Sequence, residues 1–349
     1  MKLFSCPECG HTAHFESNLC VRCGATLGFL PSLRTLVAIP QNSPLIVDGE
    51  EWVACENRRH GCNWMVQSGD ETSYCVSCRL NQTIPDLSVA GNQQLWERLE
   101  KEKRRFIYSA LRLNLPMLPK EKDLHGLAFD FLADPDPSFS DRDKVLTGHA
   151  NGLITLNIAE ADPAQREKMR AQMDEPYRTI LGHFRHESGH YYWEKLVRYT
   201  DWLIPFREIF GDEQRDYATA LQKHYQNGPP NHWRDNFVSG YASAHPWEDW
   251  AESWSHYLHM VDTLETAWAY GLHIDPPQAG CEGLRADPEF DPYLNTHFDL
   301  LLTQWIPLTV ALNSLNQSMG HEPAYPFTLP SPVTEKLRLI HRIIHRGGR

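Results

Sequence analysis

Apolar and polar positions repeat with two different periods along the chain. Residues 93–114 (QQLWERLEKEKRRFIYSALRLN) place Leu95, Leu99, Phe106, Ala110 and Leu113 near one face, which predicts an amphipathic helix. The KEKRR run inside it, Lys101–Arg105, reads as the solvated face of that helix. In Gly148–Ile158 the period drops to two: Asn151-Gly152 signals a turn, and Leu153, Thr155 and Asn157 alternate with Ile154, Leu156 and Ile158. Asp162-Pro163 opens a short polar helix to about Met173, and Asp174–Pro176 opens a longer one. Pro246 starts a helix reaching Tyr270, and the stretch after Pro332 reads as a last helix ending at Gly347-Gly348. Residues 31–52 look extended, residues 134–143 (DPDPSFSDRD) read as a loop, and Gly228–Asn231 (GPPN) breaks the chain. This order of elements predicts a helix-rich α+β domain preceded by small β-type modules.

Composition narrows the picture. With 349 residues and 41% hydrophobic content, the chain can bury a sizeable core and divide into two or three domains. The formal net charge of −12 argues against nucleic acid as partner, and the first 80 residues hold 6 Lys/Arg against 8 Asp/Glu. No apolar run reaches a membrane span; the longest, Leu300–Leu312, is interrupted by Gln304 and Pro307. Met1–Gly10 has no signal-peptide pattern, so a cytoplasmic setting is expected, where thiols stay reduced and clustered cysteines are metal ligands before they are disulfides.

Eight of the nine cysteines precede residue 80. Cys6-Pro-Glu-Cys9 and Cys20-Val-Arg-Cys23 are two knuckles, each followed by glycine, and four thiolates close a tetrahedral structural zinc site. Cys55, Cys62, Cys75 and Cys78 make a looser second set, because six residues separate Cys55 from Cys62. A second structural zinc is the favoured reading; a single zinc with the other thiols free is the alternative. Trp64 is expected to pack against this second unit, and Cys281 stands apart as a free thiol. The organisation expected is a zinc ribbon over 1–30, a second cysteine-zinc module and linker over 31–90, and a zincin-like domain over 91–349.

Candidate chemistry concentrates in His183-Phe-Arg-His186-Glu187-Ser-Gly-His190. On a helix, His186 and His190 project from one face and can share an ion, while Glu187 sits one step round, where it reaches water on that ion. This is the HExxH pattern of zinc peptidases, with Glu187 as general base. Such a site takes a third protein ligand and keeps a position for water. Glu248 and Glu252, one turn apart in the helix that Pro246 opens, are the candidates: one carboxylate to bind zinc, the other to accept a hydrogen bond from a ligand imidazole. His256 and His259 continue roughly that face, and His183 is read as a supporting or core histidine.

The chain resembles the bacterial zinc-binding metallopeptidase family that carries an N-terminal zinc-ribbon region. The likeness runs through Cys62-Asn-Trp64, Cys78–Asn81, Ile84–Leu87, Thr147–Gly152, Glu175–Arg178, Gly182–Trp193 and His245–Glu252. A more distant similarity, to the Mlc titration factor type of zinc peptidase, implies that a Pro-x-Glu helix nearly sixty residues after HExxH supplies the third ligand. Pro246-Trp-Glu248 matches it, which favours Glu248 over Glu252. That type also implies a catalytic tyrosine about seven residues earlier, which falls on Tyr241. Tyr241, with His245 as substitute, would stabilise the oxyanion. The cofactors expected are one catalytic and two structural Zn2+, and the partner a peptide or protein substrate. A catalytically silent zinc-ribbon and zincin protein acting as an interaction module is the alternative.

Overall fold

The computed structural model describes residues 2–134, 145, 147–173, 179–278 and 280–346. Most of the loop expected at 134–143, the Glu175–Arg178 motif, the helix start expected at Asp174–Pro176 and the terminal glycines lie outside them. The fold is α+β, and the chain divides into two compact units: residues 1–107, 117–147 and 152–162 in the first, 108–116, 148–151 and 163–349 in the second.

The first unit starts with short antiparallel pairings. Strands β1 (Phe4–Ser5) and β2 (Thr12–Ala13) pair, as do β3 (Leu27–Leu30) and β4 (Thr35–Ala38). Strands β5 (Leu45–Val47), β6 (Glu50–Ala54) and β7 (Met65–Gln67) form a three-stranded antiparallel sheet. Strands this short cannot make a core by themselves. An aromatic cluster links them: Phe15 meets Phe29 edge-on with ring centroids 4.9 Å apart, and Phe29 lies 4.8 Å from Trp64. Trp64 therefore packs on residues of the first ribbon, while Asn63 Nδ2 donates to the Phe15 carbonyl at 2.7 Å. Further on, β8 (Asn81–Thr83), β9 (Ala128–Leu132) and β11 (Leu153–Asn157) run parallel, with β9 between the other two. Strand β11 follows β10 (Gly148–Ala150) through Asn151 and Gly152, whose φ angles of 49° and 82° make the tight turn that the Asn-Gly pair signals.

Helix α1 (Asn92–Arg112) buries Leu99, Phe106 and Ala110, as its periodicity predicts; Leu113 is buried just past its end and Leu95 is half-buried. It also overturns one expectation. Lys103 and Arg104 are not solvated; they are 0% and 4% exposed. Lys103 Nζ lies 2.6 Å from Glu100 Oε1 and also contacts the Asn81 side chain, while Arg104 lies 3.8 Å from Glu100 Oε2. Buried charge is tolerated because it is paired and hydrogen-bonded.

The second unit is helical. After α2 (Pro163–Met173), helices α3 (Ile180–Leu196) and α6 (Pro246–Tyr270) form its centre. The Thr179 hydroxyl caps α3 by accepting from Gly182 N–H at 2.9 Å. Helix α6 opens with Pro246 at its first turn, where no amide donor is required, and closes at Gly271 in the left-handed region. Around them pack α4 (Leu203–Phe210), α7 (Phe298–Ser318) and α8 (Ser331–Arg346), while α5 (Tyr217–Asn227) buries none of its residues. The crossing of α3 and α6 is close because of Gly189. A Cβ there would stand 2.9 Å from the Ala251 Cα, and the Gly189 carbonyl accepts from Trp250 Nε1 at 2.9 Å. Glycine between the two histidines thus lets the helix that carries them approach the helix that carries the glutamates. No helix among the described residues is long and apolar enough to cross a membrane.

Candidate metal centres

Among the described residues, three groups of donors converge. In the first, Cys6 Sγ lies 3.7 Å from Cys23 Sγ and Cys9 Sγ 3.6 Å from Cys20 Sγ. In the second, Cys62 Sγ lies 3.8 Å from Cys75 Sγ and 3.7 Å from Cys78 Sγ. Thiolates about 2.3 Å from one zinc at tetrahedral angles sit about 3.8 Å apart, so both sets have the spacing of a metal cluster and neither that of a disulfide. The wide gap from Cys55 to Cys62 is taken up by a 3-10 helix over Glu56–His60, closed by Gly61 at φ 80°, which turns the chain back on itself. Cys75 N–H then donates to Cys55 Sγ at 3.3 Å. Beside this set, burial pulls the Arg104 pKa down, but the Cys62 thiolate and Glu100 outweigh it and hold the guanidinium charged. That cation offsets part of the negative charge four thiolates bring. The sets differ in exposure: all four cysteines of the second are buried, whereas Cys23 is exposed and Cys9 half-buried.

The third group lies within the second unit. His186 Nε2 is 3.1 Å and His190 Nε2 3.5 Å from the same Glu248 oxygen, Oε2, and the three donor atoms lie within 4.8 Å of one another. Nitrogen and oxygen donors about 2.05 Å from one tetrahedral ion stand about 3.3 Å apart, so this set fits zinc by distance as well as by donor type. The electrostatics agree. Burial pulls the His186 pKa down, yet Glu248 and Glu252 together raise it well above the ordinary histidine range. The buried Glu248 and the half-buried Glu252 thus make His186 a site that favours positive charge. Glu252 Oε1 lies 2.7 Å from His186 Nδ1, the arrangement that fixes a ligand histidine's tautomer and leaves Nε2 for the metal. His190 is held differently, by the Trp247 ring at 4.1 Å between centroids. Glu187 is buried on the same helix.

Residues 92–343 match a family described as putative zinc-binding metallo-peptidase. The chain belongs to that family. Residues 3–89 match a zinc-ribbon domain, which accounts for the cysteine-bearing part. An uncharacterized protein of Mycobacterium bovis and two of Mycobacterium tuberculosis are 43% identical to this metallopeptidase family member over 350 residues, covering 99% of this chain and 95% of theirs. No solved structure matches.

Several sequence-predicted residues have other employment. Both ring nitrogens of His245 are engaged: Nδ1 accepts from Trp247 N–H at 3.1 Å, capping α6, and Nε2 lies 3.1 Å from the Arg215 carbonyl. Burial lowers its pKa, so it is a neutral structural cap, unsuited to bind an oxyanion. His256 Nδ1 lies 2.8 Å from Tyr325 Oη, and His259 Nδ1 2.6 Å from Arg185. These two histidines continue the helix but serve the core, where Arg185 also pairs with Asp262 at 2.6 Å. His183 is half-buried and outside the converging set. Tyr241 does approach the centre, its ring 6.0 Å from that of His186. Cys281 is a free thiol. Two residues escaped sequence reasoning. The ring of His149, on β10, stacks near His190 with centroids 6.2 Å apart. Tyr217 Oη donates to Glu248 Oε1 at 2.6 Å. His149 lies within the Thr147–Gly152 motif, which could have marked it, whereas no motif contains Tyr217.

Proposed function

We propose that the protein is a zinc-dependent peptidase, with His186, His190 and Glu248 holding the catalytic metal and Glu187 serving as general base. The observation that carries this reading is the convergence at metal spacing of two imidazole Nε2 atoms from α3, where a glutamate follows His186, with one carboxylate oxygen from α6. When bound, zinc polarises a peptide carbonyl and brings the pKa of water to about 7. Glu187 takes the proton of the attacking water and passes it to the leaving amine. Burial and the Glu248 charge raise the pKa of Tyr241, which therefore keeps its proton and donates a hydrogen bond to the developing oxyanion. Glu252 holds His186 in the orientation the metal needs.

On this reading the chain carries two structural zinc ions and one catalytic one. The structural ions stabilise residues 1–30 and 31–90, and residues 91–349 carry the chemistry on a peptide or protein substrate. Eight sulfurs held at metal spacing support a reducing, cytoplasmic setting. The test uses the full-length zinc-replete protein with unfolded casein and a peptide library. Turnover that disappears on chelation and returns with zinc is expected. Glu187→Gln should retain its metal while losing about 10²–10⁴-fold in rate. Retained turnover in that variant removes Glu187 as base. Absence of cleavage by the zinc-replete wild type favours the silent interaction module.

A further inference from the structure

The two oxygens of Glu248 are treated differently. Oε2 faces the imidazoles, 3.1 Å from His186 Nε2 and 3.5 Å from His190 Nε2. Oε1 faces away and accepts a hydrogen bond of 2.6 Å from Tyr217 Oη. Tyr217 is the first residue of α5, and its direction is fixed from both sides. The Asp216 carboxylate before it caps the helix by accepting from Thr219 N–H at 2.7 Å. Its ring stands edge-on to those of His245 and Trp247, at 5.2 and 5.7 Å between centroids. Those two residues form the first turn of α6, so the phenol is seated on the segment that aims Glu248.

We propose that Tyr217 is a positioning residue that makes Glu248 a one-oxygen ligand and thereby preserves the position at which water binds. A carboxylate facing a metal can bind through one oxygen or both. A donor of an O–H bond to Oε1 occupies a lone pair there and turns that oxygen away, which leaves Oε2 as the single donor. With two histidines this gives three protein ligands and an open position, the arrangement hydrolytic zinc requires. Without the hydroxyl, Oε1 swings inward as an added ligand that crowds the position of water and raises the coordination number. The role differs from that proposed for Tyr241, whose ring lies 6.0 Å from that of His186 and which, among the described residues, makes no hydrogen bond to Glu248. It rests on the metal reading above, and its test reads the metal directly.

The experiment exchanges cobalt(II) into the His/Glu centre of the full-length protein while zinc stays in the cysteine clusters, and records the visible d–d bands as a difference from His190→Ala. Wild type should show the intense bands of a four-coordinate ion. Tyr217→Phe keeps the ring and its packing, so it should fold and bind one cobalt, but with the weaker bands of a higher-coordinate ion. Affinity for the metal or kcat should move by about 10–100-fold, the usual effect of losing a partner of a metal ligand. KM should stay unchanged, and the acid limb of the pH–kcat profile should shift. Tyr241→Phe should lower kcat yet leave the cobalt bands as they are. Tyr199→Phe, at an exposed site, should change neither. Tyr217→Phe bands and cobalt affinity identical to wild type would overturn the proposal while leaving the peptidase reading intact. A wild type that takes up no cobalt at this centre would remove both.

Discussion

The cysteine clusters and the His/Glu centre solve the same problem, gathering donors around a point, with opposite degrees of closure. Each cysteine set offers four thiolates at the spacing of a filled tetrahedron. The His/Glu centre offers three donors, two carboxylates at one imidazole, and a phenol that restrains the odd oxygen. Four equal ligands from short turns stabilise a region whose strands are only two to five residues long. Three ligands from long helices, already fixed by packing, leave room for chemistry. On the function proposed above, metal organises the cysteine-bearing region, whereas helix packing organises the second unit, which then receives its metal.

The contrast breaks if removing a donor has the same consequence in both places. The largest effect is expected from Glu248→Ala: the His/Glu metal is lost, hydrolysis falls to background, and circular dichroism and thermal unfolding of the second unit change little. Elemental analysis should show one equivalent less metal. Cys62→Ser should do the reverse, unfolding the cysteine-bearing region, because structural zinc supplies on the order of 10 kcal/mol of folding free energy in small modules. Limited proteolysis would release the N-terminal region selectively; a resistant N-terminus would contradict the assigned role of the metal. The matching change at the exposed position, Cys23→Ser, should cost less, since water can complete that ligand set. Next comes Glu252→Gln, which should weaken the His/Glu metal by about 10–100-fold in a chelator competition without altering the fold. The smallest effect is one of rate. A chromophoric chelator should remove the His/Glu metal first, then that of the Cys6 cluster, and last that of the sealed Cys55 cluster. Release of the Cys55 cluster before the Cys6 cluster would remove burial as the governing factor.

Much of this was legible in the residues. HExxH, the Pro246 helix and the paired knuckles are local patterns, and local patterns survive without tertiary information. Helix α6 read correctly because Pro246 marks its start, and the body of α3 did too, but α3 opens at Ile180 after the extended Thr179 cap rather than at Asp174–Pro176. Helices α4, α5 and α7 were not foreseen. Helix α5 has no buried face to give it a period, and Gln304 and Pro307 interrupt the apolar run of α7. Lys103 and Arg104 looked solvated because the partners that make their burial acceptable, Glu100 and Asn81, are recognisable only once the chain has folded. The Cys55–Cys62 gap looked looser than a knuckle because sequence spacing does not count the turn a 3-10 helix supplies. Tyr217 was invisible for a related reason: 31 residues separate it from Glu248, and no motif joins them.

The glycine between Ser188 and His190 sets a tolerance for everything built on that helix pair. Adding one methyl group there would press on backbone rather than on a side chain that could turn aside. The two helices would have to separate by a fraction of an ångström, and the donors would no longer meet at a common point. The meeting of His190 with Glu248 is thus governed by an atom the protein leaves out at the very next position, so the donor geometry is written into helix spacing as much as into residue identity.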